Sequence, residues 1–187
     1  MSSELCEGYE IDFDGVRQMC QDAKARGFRP TTLFLHWSAG HYGQHWSDYH
    51  LQVDGNSKIY RNDSELDDTL AHTWHRNTNA IGLSFCGCFD ARANSGEDLD
   101  MGTEPVTAEM LETMAKLIAV ITEEFRLPIT EDTVMTHCEA AELDDYGPGS
   151  GDPQTRWDLW YLPDSDGTVK PGGDVLRGKA YWYRNSF

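Results

Sequence analysis

Thr32-Leu33-Phe34-Leu35-His36-Trp37-Ser38 is an apolar run that ends on an imidazole, and Thr133-Val134-Met135-Thr136-His137 repeats the pattern far along the chain. Runs of this kind read as strands, each delivering a histidine at its carboxyl end. Further strands are expected at residues 49–53, leading to the turn Asp54-Gly55-Asn56, at 58–61 and at 80–88. Between them lie two helical patterns. Val16, Met19, Cys20 and Ala23 recur at spacings of three and four over residues 12–25, and Gly27 follows as a stop. Met110, Leu111, Met114, Leu117, Ile118, Ile121 and Phe125 form one stripe on a longer helix, with Thr107 as its N-cap and an end before Pro128. Strands alternating with amphipathic helices imply an α/β layer structure in which the helices cover a sheet.

The 187 residues fit one domain, residues 1–187, with an adequate core. No apolar run approaches membrane-spanning length. A formal charge of −17 repels nucleic-acid phosphates and anionic lipid, so neither a nucleic acid nor a membrane is an expected partner. That charge has no functional reading beyond solubility. The five cysteines include no CxxC pair, which suggests neither a disulfide framework nor a four-thiolate zinc site. Met1-Ser2-Ser3-Glu4-Leu5 lacks the basic flank and apolar stretch of a secretory signal, so synthesis in the cytoplasm and action after release or delivery are expected. Residues 90–104 and 144–155 are polar and read as surface loops, while residues 163–187 show no clear pattern.

Two strand-end imidazoles and a loop carboxylate would make a three-ligand zinc site with the fourth position open to water, whose pKa zinc lowers toward ~7. The plainer reading of each histidine is a strand-end residue hydrogen-bonded to a loop.

The order of five segments decides between these. Phe34-Leu35-His36-Trp37-Ser38, Asp48-Tyr49-His50-Leu51-Gln52-Val53-Asp54-Gly55, Leu70-Ala71-His72, Asn79-Ala80-Ile81-Gly82-Leu83 and Thr136-His137 together resemble the type 2 N-acetylmuramoyl-L-alanine amidases. That family includes phage endolysins, cell-wall recycling amidases and peptidoglycan recognition proteins. The resemblance covers about residues 34–159. It implies a mixed central β-sheet flanked by helices, peptidoglycan as substrate and Zn2+ as cofactor; the chain is expected to act as a monomer.

Carried over by position, His36 and His137 are zinc ligands. The third is Asp158 in the basic-x-acidic pattern Arg156-Trp157-Asp158, with Asp152, which precedes Pro153, as the rival. Arg156 takes the place of a family lysine that steadies the oxyanion, since a guanidinium stays charged. Tyr49 aligns with the catalytic tyrosine of phage members, while Ser84 replaces a glutamate that others carry. Proton transfer is then open to Tyr49, to Glu139 or to a relayed water. His50 and His72 match positions that line the family's site and would bind substrate or brace the ligands. Trp37, Trp46 and Trp74 would stack on sugars or anchor the core, and His41, His45 and His75 read as surface residues.

The implied reaction is hydrolysis of the amide between N-acetylmuramic acid and L-alanine. Tyr49 and the missing glutamate tilt the role toward lysis, as a phage endolysin or a secreted effector rather than a recycling enzyme. Two other readings stay open: a peptidoglycan-binding module without catalysis, and a thiol amidase or peptidase using Cys138 beside His137.

Overall fold

The computed structural model describes residues 4–93, 95 and 98–186. In chain order it contains β1 (Leu5–Cys6), β2 (Tyr9–Ile11), α1 (Phe13–Ala25), β3 (Thr32–Trp37), β4 (His45–Trp46), β5 (Leu51–Val53), β6 (Ile59–Arg61) and β7 (Ala80–Phe85). There follow β8 (Arg92–Ala93), β9 (Leu99–Asp100), α2 (Ala108–Glu124), β10 (Val134–Thr136), α3 (His137–Leu143), β11 (Tyr161–Pro163), β12 (Val169–Pro171) and α4 (Gly172–Asn185).

Six strands form the central sheet in the order β10-β3-β7-β5-β6-β2. The pairs from β10 to β5 are parallel, and β5–β6 and β6–β2 are antiparallel, so the sheet is mixed as expected. Side chains alternate between faces along a strand. On β3, Leu33, Leu35 and Trp37 join one core with Ile81, Leu83 and Phe85 of β7 and Leu51 and Val53 of β5. Helices α1, α2 and α4 supply most of the rest of that core, for example Val16, Met114, Ile118 and Leu176. Burying a Leu, Ile or Met side chain contributes roughly 1.5–3 kcal/mol, so this single core holds the three helices to one face. The opposite parity carries Phe34, which packs with Ala80, Met135 and Ala140, and also His36, Gly82 and Ser84. Helix α3 and loops cover that second face, which is where the candidate site lies.

The two periodic helices form where their stripes place them. The Asp12 carboxylate accepts from Gly15 N–H at 2.8 Å and Thr107 Oγ1 from Met110 N–H at 3.2 Å, capping α1 and α2. No helix among the described residues is long and apolar enough to cross a membrane.

Several expectations need correction. His137 does not end a strand: β10 stops at Thr136, which caps α3, and His137 is the first residue of that helix. Residues 80–88 form a strand only to Phe85; Gly87 and Cys88 take positive φ and turn the chain away. Residues 49–53 become extended only from Leu51. Residues 90–104 hold the small antiparallel pair β8–β9, with Asn94, Gly96 and Glu97 outside the described residues. The Met1-Ser2-Ser3 start of the expected leaderless terminus also lies outside them. The illegible tail is a hairpin, β11–β12, leading into the fourteen-residue helix α4.

Candidate active site

Strand β3 and helix α3 begin the site. Parallel pairing of β10 with β3 sets Thr136 opposite Leu35, so the residue after each, His137 and His36, emerges at the same sheet end. Their Nδ1 atoms stand 3.1 Å apart. Asp158 completes the group, with Oδ2 at 3.2 Å from His36 Nδ1 and Oδ1 at 3.3 Å from His137 Nδ1. All three residues are buried.

A tetrahedral zinc with bonds of about 2.0–2.1 Å to nitrogen and oxygen has ligand–ligand edges of roughly 3.3–3.4 Å. The Nδ1–Nδ1 separation and the nearest approach of each imidazole to the carboxylate, made to different oxygens, lie near such edges, and two imidazoles with a carboxylate are a zinc-type donor set, so these residues fit the metal. Burial pushes the His36 imidazole down to about 4, with Asp158 only partly opposing, so it is neutral at neutral pH, as a metal ligand must be. Burial works against the Asp158 charge, but the His137 and His36 imidazoles prevail and hold its carboxyl well below the usual range. Asp152 is not in this group; it lines the cavity, where its Oδ1 accepts from Gln154 N–H at 2.7 Å.

His137 and Asp158 open onto a cavity of about 790 Å³. Tyr49 lines it and sets its ring 5.1 Å from that of His36. Burial, then the Asp158 and Asp48 charges, push its phenol well up, against hydrogen bonding by Ser84, so Tyr49 stays protonated at neutral pH and can donate a hydrogen bond but not act as a base. Arg156 lies exposed on the cavity wall with no carboxylate partner among the described residues; Nη1 donates to Gln154 O at 2.8 Å. Trp37 lines the cavity and packs edge-on against Trp157 at 5.2 Å. Trp74 is 59% exposed at the rim, over His75 at 3.8 Å and edge-on to Tyr146.

Three other residues sit differently from expectation. Glu139 is not at the cavity: Oε2 accepts from Thr136 N–H at 2.8 Å to close a capping box, and Arg177 binds both carboxylate oxygens at 2.8 and 3.0 Å. Both lone-pair sets are used in holding α3 to α4. His50 does not line the cavity either; its Nδ1 accepts from Gly82 N–H at 2.9 Å and its Nε2 donates to Asp68 O at 3.0 Å. It ties strands to a loop, and burial lowers its pKa. His45 is half-buried rather than a surface residue, stacked on Tyr60 and hydrogen-bonded to Asp54 Oδ2 at 3.1 Å. Asp54 and Cys86 make a second His-Asp-Cys grouping with it, but Asp54 already accepts from Gly43 and Gly55 N–H, and the Cys86 thiol faces Gln52 Oε1. Hydrogen bonds satisfy that cluster. His41 and His75 are exposed as expected.

Cys138 follows His137 on α3, buried, and burial pushes its thiol far up, with Glu142, Asp158 and Glu139 adding to the shift. A buried thiol without a base is a poor nucleophile, which argues against a thiol enzyme.

The sequence reading missed Thr73 and Tyr146. Thr73 Oγ1 lies 3.3 Å from His36 Nε2 and 2.9 Å from His72 Nδ1. Tyr146, 8% exposed, lines the cavity and sets its ring 6.1 Å from that of His137. Adjacency to His72 was the available signal for Thr73. Tyr146 sits in a loop with none.

The family model for N-acetylmuramoyl-L-alanine amidase matches residues 18–154, well over half of the chain. The chain belongs to this amidase family. The matched segment contains both histidines of the buried group and stops short of Asp158. None of the curated proteins compared with this amidase matches it. Its activity class is that of a peptidoglycan amidase.

Proposed function

We propose that this chain is a zinc-dependent hydrolase of the amide between the lactyl carbonyl of N-acetylmuramic acid and L-alanine, acting in lysis of the cell wall. The observation that carries the reading is the buried His36, His137 and Asp158 group, with zinc-like spacing, at a cavity in a chain of the amidase family. Zinc bound there would polarise the carbonyl and make water nucleophilic near neutral pH.

The chain's own residues supply the rest. Arg156 presents a permanent positive charge at the cavity wall, suited to the oxygen that gains charge in the transition state. Tyr49 keeps its proton and is placed to donate a hydrogen bond to that oxygen or to the departing nitrogen. With Glu139 engaged elsewhere, the proton for the leaving amine comes from a relayed water, and Tyr49 contributes a hydrogen bond. Trp74 offers an exposed indole face to a sugar ring at the rim. The lytic role rests on the phage-type Tyr49 together with Ser84 in place of glutamate. Residues 1–187 act as one domain in this reading, because α4 contributes Val175, Leu176 and Ala180 to the core shared with α1 and α2.

Digestion of isolated cell walls followed by mass spectrometry tests the bond. New L-alanine amino termini without new reducing sugar ends are expected; new reducing ends with intact lactyl-peptide bonds would refute the reading. Chelation should abolish turnover and zinc restore it, whereas full activity without metal and loss on thiol alkylation would favour a cysteine enzyme.

A further inference from the structure

Resting on the reading of His36 as a metal ligand, we propose that Thr73 is a positioning residue that links His36 to His72 in a polarised hydrogen-bond chain, fixing the tautomers of both. His36 turns Nδ1 toward His137 and Asp158, so the nitrogen that binds metal must be unprotonated and the ring proton must sit on Nε2. That N–H meets Thr73 Oγ1 at 3.3 Å. Having accepted there, the threonine hydroxyl spends its single proton on His72 Nδ1 at 2.9 Å. His72 then carries its own proton on Nε2, a buried atom with no partner among the described residues, on a ring that lines the cavity wall. The metal-binding form of one histidine thus sets the tautomer of the second, whose Nε2 lies 3.1 Å from where a Cβ on Gly82 would stand.

The surroundings hold this chain in place. Thr73 N–H donates to Asn77 Oδ1 at 2.8 Å and Thr73 O accepts from Arg76 N–H at 3.1 Å. The Arg76 guanidinium grips Asp144, the C-cap of α3, at 2.6 and 2.8 Å. The loop that orients His36 is therefore tied to the helix that begins with His137. Gly82 makes room for the second ring, since a Cβ there would fall 2.5 Å from His72 Cδ2.

Zinc affinity by competition with a chelator, measured on the full chain, tests the proposal. Thr73→Val keeps the shape and removes the hydroxyl, and Thr73→Ser restores a hydroxyl. The zinc dissociation constant should rise at least ~10-fold in the valine variant and stay within about 3-fold of the parent in the serine variant, as for loss and retention of a partner behind a ligating histidine. Circular dichroism checks that both fold, and nitrogen-15 spectra of the zinc-loaded parent should show the His72 proton on Nε2, a readout independent of any variant. A valine variant that binds zinc like the parent, or a His72 proton on Nδ1, would overturn the proposal alone. A parent chain that takes up no zinc would remove the ligand reading and this inference together.

Discussion

Asp158 and Asp152 differ in what surrounds them. Asp158 is buried between Trp157, which braces Trp37, and Leu159 in the core, whereas Asp152 sits in a glycine-rich loop and binds its own backbone neighbour. Asp158→Ala should lower zinc affinity at least ~10-fold, since removal of a ligand should cost no less than removal of the group behind one, and Asp152→Ala should keep its metal. Calorimetry decides, and the reverse pattern would also displace Arg156 from the oxyanion. His50 makes a pH prediction. Its pKa is lowered in the fold by burial, so the unfolded chain, with histidine near ~6.5, binds more protons as pH falls. The stability contribution is present above pH ~6.5 and lost below it; His36 and His72 share the sign. Melting of the metal-free chain should therefore drop between pH 7 and 5, less steeply for His50→Gln. An unchanged slope would show that His50 does not titrate as its bonding to Gly82 and Asp68 requires.

At the scale of elements, α3 and α4 are joined by Glu139 and Arg177. Gly173 permits this closeness, because a Cβ there would lie 2.2 Å from Glu139 Oε1. Glu139→Ala removes a capping-box partner and leaves Arg177 half-paired, so stability should fall by roughly 2–4 kcal/mol while zinc content and turnover per folded molecule stay near the parent's. Normal stability with lost turnover would return Glu139 to the chemistry. The same elements explain what the sequence could reveal. Helices α1 and α2 carry continuous apolar stripes and capping residues, so periodicity exposes them. Helix α4 begins with Gly172 and Gly173 and contains Gly178, residues of low helix propensity, and tertiary packing overrides that preference. Helix α3 is seven residues long and its cap Thr136 reads as the end of a strand, which is why His137 was placed one element too early. His36, His137 and Asp158 were legible through ordered family motifs; Thr73 and Tyr146 were not, because they join the site only through contacts distant in sequence.

For the molecule as a whole, the single core predicts that the tail cannot be dispensed with. Ending the chain at Pro171 would expose the faces that Val175, Leu176 and Ala180 cover, as well as removing the Lys179 and Tyr183 bonds to Glu112 on α2. Such a truncation should lack a cooperative melting transition; a cooperative melt near the parent's temperature would make residues 172–187 a dispensable appendage. The strict alternation of β3, β5 and β7 also has a consequence for how the protein tolerates change. Odd-numbered positions on these three strands meet the helices, Trp37 at the end of β3 also reaching the cavity, and even-numbered positions such as Phe34, His36, Gln52, Gly82 and Ser84 belong to the other face. A saturation library read for abundance and for lysis separately should beat with a period of two along each strand: odd positions govern how much protein survives, and even ones near the cavity govern what the survivors can do. Those two tracks could then be rewritten independently, one for durability and one for the choice of cell wall.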